Sequence, residues 1–201
     1  MADWDADSAA LEVNLHSVLE TLRDEAHRRV LPSVEAARHW HAATLRGLEV
    51  PDPRYVGRFR GEPGLEKIQV RVGGQFGIAA RDVPTALKSF ENTLQSVIAR
   101  LDTLIPAQSD PNDDQLAAIL EVCAWAHAEW IRIHPFANGN GRTARFWVNS
   151  IAMRYNLPPF LRSRPRPDLG YGEAGASAML GNWQPTIRVL QRHLEDFLRS
   201  R

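Results

Sequence analysis

The chain has 201 residues, 44% of them hydrophobic, which is enough for one sizeable core and too little for two well-formed enzyme domains. Lysine plus arginine and aspartate plus glutamate number 24 each, so the formal net charge is zero and no basic excess points to nucleic acid as an obligatory partner. A nucleotide stays open, because it needs only a local anion site. The start Met-Ala-Asp-Trp-Asp-Ala-Asp has no secretory pattern and no apolar run approaches the roughly 18 residues that span a bilayer, so a cytoplasmic location without a membrane partner is expected.

Residues 8 to 31 place Leu11, Leu15, Val18, Leu19, Leu22 and Val30 mostly three or four apart, which predicts an amphipathic helix closed by Pro32. Ser33 is placed to cap a second helix running through Trp40 and Leu45, with Gly47 and Pro51 as stop signals. The stretch 51 to 66 is rich in proline, glycine and arginine and reads as a loop. Ile68 to Val72 alternates apolar and polar residues, Gly73-Gly74 allows a reversal, and Gln75 to Ile78 returns, which predicts a small β-hairpin that must lean on a helical body. Pro84 opens a helix through Leu101, a polar loop fills 107 to 114, and a further helix runs from about Asp114 to Ile131. Helices over Arg142 to Tyr155 and residues 184 to 198 complete a mostly α fold with one β-hairpin. Residues 1 to 32 read as an N-terminal helical extension and 33 to 201 as a single globular unit.

Residues 134 to 145 read His-Pro-Phe-Ala-Asn-Gly-Asn-Gly-Arg-Thr-Ala-Arg. Glycines let consecutive backbone N–H groups curl around phosphate oxygens, and the start of a helix adds partial positive charge. Arg142 and Arg145 lie one turn apart and add charge-assisted bonds, while the His134 imidazole has the chemistry of a general base. These parts fit phosphoryl or nucleotidyl transfer.

The segment resembles the Fic motif, His-x-Phe-x-(Asp/Glu)-Gly-Asn-Gly-Arg-x-x-Arg, at every fixed position except the acidic one. Gly57-Arg-Phe-Arg60, the hairpin from Val70 to Phe76, Val83-Pro84, Leu157-Pro158-Pro159 and Gly181 to Pro185 are similar to further landmarks of the family, so the likeness covers roughly residues 33 to 198. It implies a Fic-type helical bundle with a hairpin flap, and a protein adenylyltransferase that moves AMP from ATP onto a Tyr, Thr or Ser hydroxyl of a target protein. In that reading His134 is the base and Phe136 a buried anchor of the loop. Gly139, Asn140 and Gly141 form the phosphate nest, with the Asn140 amide on the α-phosphate and Arg142 and Arg145 on the β- and γ-phosphates. Val70, Val72, Gly73, Gly74 and Phe76 belong to the flap that docks the target as an added strand, and Tyr171 stands near the adenine.

The family's acidic residue, which holds Mg²⁺ (or Mn²⁺), is replaced by Asn138, a weak ligand without charge. Three readings stay open: an AMP transferase with reduced metal dependence, a relative using another phosphate-bearing donor, and a non-catalytic nucleotide-binding scaffold. Many relatives carry an inhibitory Ser/Thr-x-x-x-Glu-Gly/Asn helix against the second motif arginine. Ser8 to Glu12 and Thr21 to Glu25 have the spacing but are followed by Val13 and Ala26, so a separate antitoxin-like partner is the expected source of any such glutamate. His127 and Cys123 read as buried structural residues, His41 as hydrogen-bonded or on the surface, and the six tryptophans as packing residues.

Overall fold

The computed structural model describes residues 8–72 and 74–200; residues 1–7, Gly73 of the expected reversal and Arg201 lie outside the described residues. Seven helices are present among them: α1 (Ala9–His27), α2 (Val34–Thr44), α3 (Val83–Leu104), α4 (Asp113–Ile133), α5 (Asn140–Arg154), α6 (Tyr171–Met179) and α7 (Gln184–Arg199). Strands β1 (Arg71–Val72) and β2 (Gln75–Phe76) pair antiparallel, Arg71 opposite Phe76 and Val72 opposite Gln75. The mostly α fold with one hairpin is therefore what the periodicities predict.

Local signals explain most boundaries. Ser8 and Ser33 cap α1 and α2 by accepting the backbone N–H of Leu11 and Ala36, each at 3.1 Å. Asn112 and Gln115 form a reciprocal capping box at the start of α4. Helix α1 stops at His27, four residues before the expected end, because Arg29 turns left-handed (φ 49°) and the N–H groups of Arg29 and Val30 close on the carbonyls of Ala26 and Glu25. Val30 consequently leaves the apolar stripe and is exposed, as is Leu198 in the last turn of α7. Helix α6 has no counterpart among the expected elements. Its sequence, Tyr-Gly-Glu-Ala-Gly-Ala-Ser-Ala-Met, carries two glycines and no clear apolar period. It is sustained by packing of Tyr171, Ala174, Ala178 and Met179 against its neighbours.

Helix α4 is the central element, with α3, α5, α6 and α7 packed around it, while α1 lies on α5 and α2. Trp130, Trp147, Trp40 and Phe90 form an aromatic cluster with ring centroids 4.8 to 5.6 Å apart where they meet. Phe136 continues the cluster through Trp130 and Phe59. The motif loop is thus seated on the core by its own phenylalanine. Cys123 is fully buried, and desolvation pushes its thiol pKa up, as befits an inert thiol.

Candidate active site

The loop between α4 and α5 is built by side chains that bond to its own main chain. Asn140 is buried and closes a ring on Phe136, accepting its N–H at 2.8 Å and donating to its carbonyl at 2.9 Å. Both ends of the Asn140 side chain are spent on the loop, so what it turns toward a ligand is its backbone N–H in the first helical turn. Gly139, at φ 78°, is the residue before α5, which begins at Asn140, two residues earlier than the sequence pattern places it. A β-carbon at Gly139 would lie 3.0 Å from the His41 ring.

His41 of α2 is stacked on Phe136 with ring centroids 3.8 Å apart. Its Nδ1 accepts the Gly57 N–H at 3.0 Å, which leaves Nε2 protonated to donate to the Asn138 carbonyl at 3.1 Å. Burial holds its pKa down at about 4, with only partial relief from the Asn138 bond. His41, expected to be hydrogen-bonded or on the surface, is buried and ties three segments together under the motif loop.

His134 ends α4 in a left-handed conformation (φ 53°), a strained choice for a residue with a β-carbon. Its Nδ1 lies 2.9 Å from the Ile131 carbonyl, which can only accept, so Nδ1 carries the proton and Nε2 keeps its lone pair. Burial first, and the nearby Arg60 charge as well, lower its pKa to about 4 against the opposing Ile131 bond. Arg60 is itself buried and binds four backbone carbonyls, those of His134, Ile133, Ile68 and Ile78, at 2.7 to 3.2 Å. It fastens the base of the hairpin to the end of α4. Gly77 completes the join: a β-carbon there would sit 2.8 Å from that of His134.

His134, the nest and the hairpin face one cleft of roughly 790 Å³. Val70, Val72 and Gly74 line it, whereas Phe76, 60% exposed, lines a neighbouring groove that shares Val70 with the cleft, and lies beside the Arg71 guanidinium. Arg142 and Arg145 are both buried on the cleft side of α5. Arg145 donates to the Tyr171 hydroxyl at 3.2 Å and to the Ser163 carbonyl at 2.8 Å. The Tyr171 hydroxyl in turn lies 2.6 Å from His127 Nε2. Since it receives the guanidinium proton, its own proton goes to His127, whose pKa burial lowers to about 3. Tyr171 is only 5% exposed and is fixed at its hydroxyl, so the structure makes it a brace for Arg145.

The inhibitory-helix candidates do not meet Arg145. Glu25 accepts the Trp40 indole N–H at 3.2 Å, and Glu12 lies on a groove beside Ser163 and Arg164. Residues that the sequence pattern passed over also line the cleft, namely Arg164 and Arg166 in the segment between α5 and α6. Their only signal was the alternation Arg162-Ser-Arg-Pro-Arg-Pro167, which has no period that marks a site.

A Mg²⁺ site at position 138 fits these residues poorly. The Asn138 side-chain oxygen is turned onto the Gly139 N–H at 2.7 Å, no aspartate or glutamate is among the described lining residues, and no cluster of three metal-binding side chains occurs among the described residues. A hard dication favours charged oxygen ligands, and this donor set offers none.

The family model of the Fic/DOC family matches residues 32–152, which is more than half of the chain. The chain belongs to the Fic/DOC family. A curated relative, protein adenylyltransferase Fic of Nematostella vectensis, is 31% identical over 172 residues, covering 85% of this chain and 31% of that protein. The chain spans less than a third of the length of the curated Fic relatives it matches. Among solved structures, a Fic domain containing signaling protein from Bacteroides thetaiotaomicron aligns with TM-score 0.65 at 22% identity, over 94% of this chain and 70% of that one. BepC of Bartonella tribocorum, solved with bound AMPPNP, aligns with TM-score 0.58 at 17% identity, over 95% of this chain and 87% of that one. These two likenesses establish the fold alone.

Proposed function

We propose that this Fic chain is a protein adenylyltransferase that moves AMP from ATP to a hydroxyl of a target protein. The observation that carries the reading is the His134 tautomer: Nδ1 is committed to the Ile131 carbonyl, so the unprotonated Nε2 is the nitrogen left for the cleft that the phosphate loop and arginines share. Nε2 takes the acceptor proton as the hydroxyl oxygen bonds to the α-phosphorus. The bond from that phosphorus to the bridging oxygen breaks, and pyrophosphate leaves with the electron pair. The backbone N–H groups at the start of α5 and the guanidinium groups of Arg142 and Arg145 neutralise the charge on the phosphates.

Two comparisons support the reading: the curated relatives are named protein adenylyltransferases, and BepC holds an ATP analogue. ATP as donor also agrees with the cytoplasmic location expected from the sequence. The hairpin offers the target an extended edge beside His134, and Asn138 leaves the reaction with reduced dependence on Mg²⁺ or Mn²⁺. If a glutamate regulates Arg145, it comes from a separate antitoxin-like partner, since Glu25 is bonded to Trp40 and Glu12, exposed on α1, makes no ion pair with Arg145.

ATP labelled separately at the α- and γ-phosphates tests the activity, with the protein incubated in lysate beside a His134→Ala control. Protein-bound α-label that disappears in the control is the expected result. Transfer of the γ-label instead identifies a kinase, and bound ATP with no transfer identifies a scaffold.

A further inference from the structure

Five arginines line the cleft, Arg71, Arg142, Arg145, Arg164 and Arg166, and the described lining residues include no carboxylate. Arg142 and Arg145 belong to the motif. Arg164 and Arg166 come from the strap between α5 and α6, which Arg145 ties down through the Ser163 carbonyl at 2.8 Å. The Tyr171 ring has the guanidinium carbons of Arg145 and Arg166 each 5.7 Å from its centroid. Helix and strap cations are thus held around one aromatic brace. No carboxylate pairs with the Arg166 guanidinium among the described residues, and at Gly172 an added β-carbon would come within 3.5 Å of it, so the start of α6 sits directly beside that charge.

We propose that the strap arginine Arg166, beside the motif arginines of α5, takes the place of the divalent cation, so that this site binds ATP as the metal-free polyanion. The proposal rests on the reading of the cleft as an ATP site and specifies the ionic form it takes. The metal-free triphosphate carries more negative charge than its Mg²⁺ complex. Guanidinium groups on two separate segments supply fixed, always-ionised donors for that charge. Asn138 belongs to the same arrangement. A carboxylate at that position repels a bare triphosphate unless a metal lies between them, whereas the amide, bonded to Gly139, imposes no such requirement.

The test is calorimetric titration of the full chain with ATP and with AMP, in EDTA and in excess MgCl₂. ATP is expected to bind in EDTA at least as tightly as with Mg²⁺. The variant Arg166→Gln is expected to weaken metal-free ATP by about tenfold or more and AMP by no more than about twofold. Arg166→Lys keeps the charge and is expected to retain ATP affinity within about threefold, which separates lost charge from lost fold. Asn138→Asp is expected to make ATP binding depend on Mg²⁺. ATP binding that requires Mg²⁺ in the parent chain, no ATP binding in either condition, or unchanged metal-free affinity in the glutamine variant each overturns the proposal. Metal-free binding without label transfer refutes AMP transfer and leaves this inference standing; label transfer confined to Mg²⁺, with ATP bound only then, does the reverse.

Discussion

His134 combines a left-handed backbone, a committed Nδ1 and a lowered pKa, and each has a measurable consequence. Because its pKa is held at about 4, chiefly by burial, the imidazole is already neutral well below pH 6.5. The acid limb of kcat/KM for AMP transfer is therefore expected near pH 4 and not near the ordinary histidine value, as measured on the free enzyme over a pH series. An acid limb at pH 6 to 7 counts against His134 as the group that titrates. His41 acts one layer deeper. His41→Ala leaves the Gly57 N–H and the Asn138 carbonyl without partners and opens space under Phe136, at an expected cost of about 2 to 4 kcal/mol in urea unfolding. Such a loss without any fall in label transfer argues that the loop does not need this support.

The hairpin is too short to stand alone, and what holds it is the Arg60 fork together with the close approach at Gly77. Arg60→Lys keeps a charge but cannot span four carbonyls, so transfer is expected to fall by about tenfold or more while the helical content stays intact. Gly77→Ala is expected to reduce transfer with little change in nucleotide affinity, because its β-carbon presses on the β-carbon of His134 and on the Arg60 fork, not on the glycine-rich loop. Equal losses in both measurements place the damage elsewhere. At this scale the sequence was an uneven guide. Helices α3, α4 and α7 announced themselves by period, α3 also by Pro84, and the motif could be read because its residues are contiguous, whereas the Asn112 cap of α4 fell within the expected loop. Helix α6 was invisible because tertiary packing, not propensity, stabilises its glycine-rich turns. Arg60, His41 and Arg166 reach the loop or the cleft from segments far apart in the chain, and no spacing rule links them to residue 134. Gly57-Arg-Phe-Arg60 was visible as a landmark, yet its task, four carbonyls on one guanidinium, exists only in three dimensions.

Across the whole molecule, His41, His127 and His134 are stored in the neutral form, with pKa values of about 4, 3 and 4. The unfolded chain, whose histidines titrate near 6.5, binds more protons than the folded one between that value and about 4. Stability is consequently complete above about pH 6.5 and is lost as the pH falls through this window. Thermal denaturation is expected to shift to lower temperature from pH 7.5 to pH 5, with unfolding at pH 5 taking up between about two and three protons. A flat profile contradicts the burial of the imidazoles. The aromatic cluster carries a different consequence. Trp40, Trp130 and Trp147 are buried in mutual contact, and Phe136 brings the motif loop onto Trp130. Half of the chain's six indoles therefore lie in one contact cluster under the loop, and the natural fluorescence of the unlabelled protein is expected to change when that loop shifts on its seat.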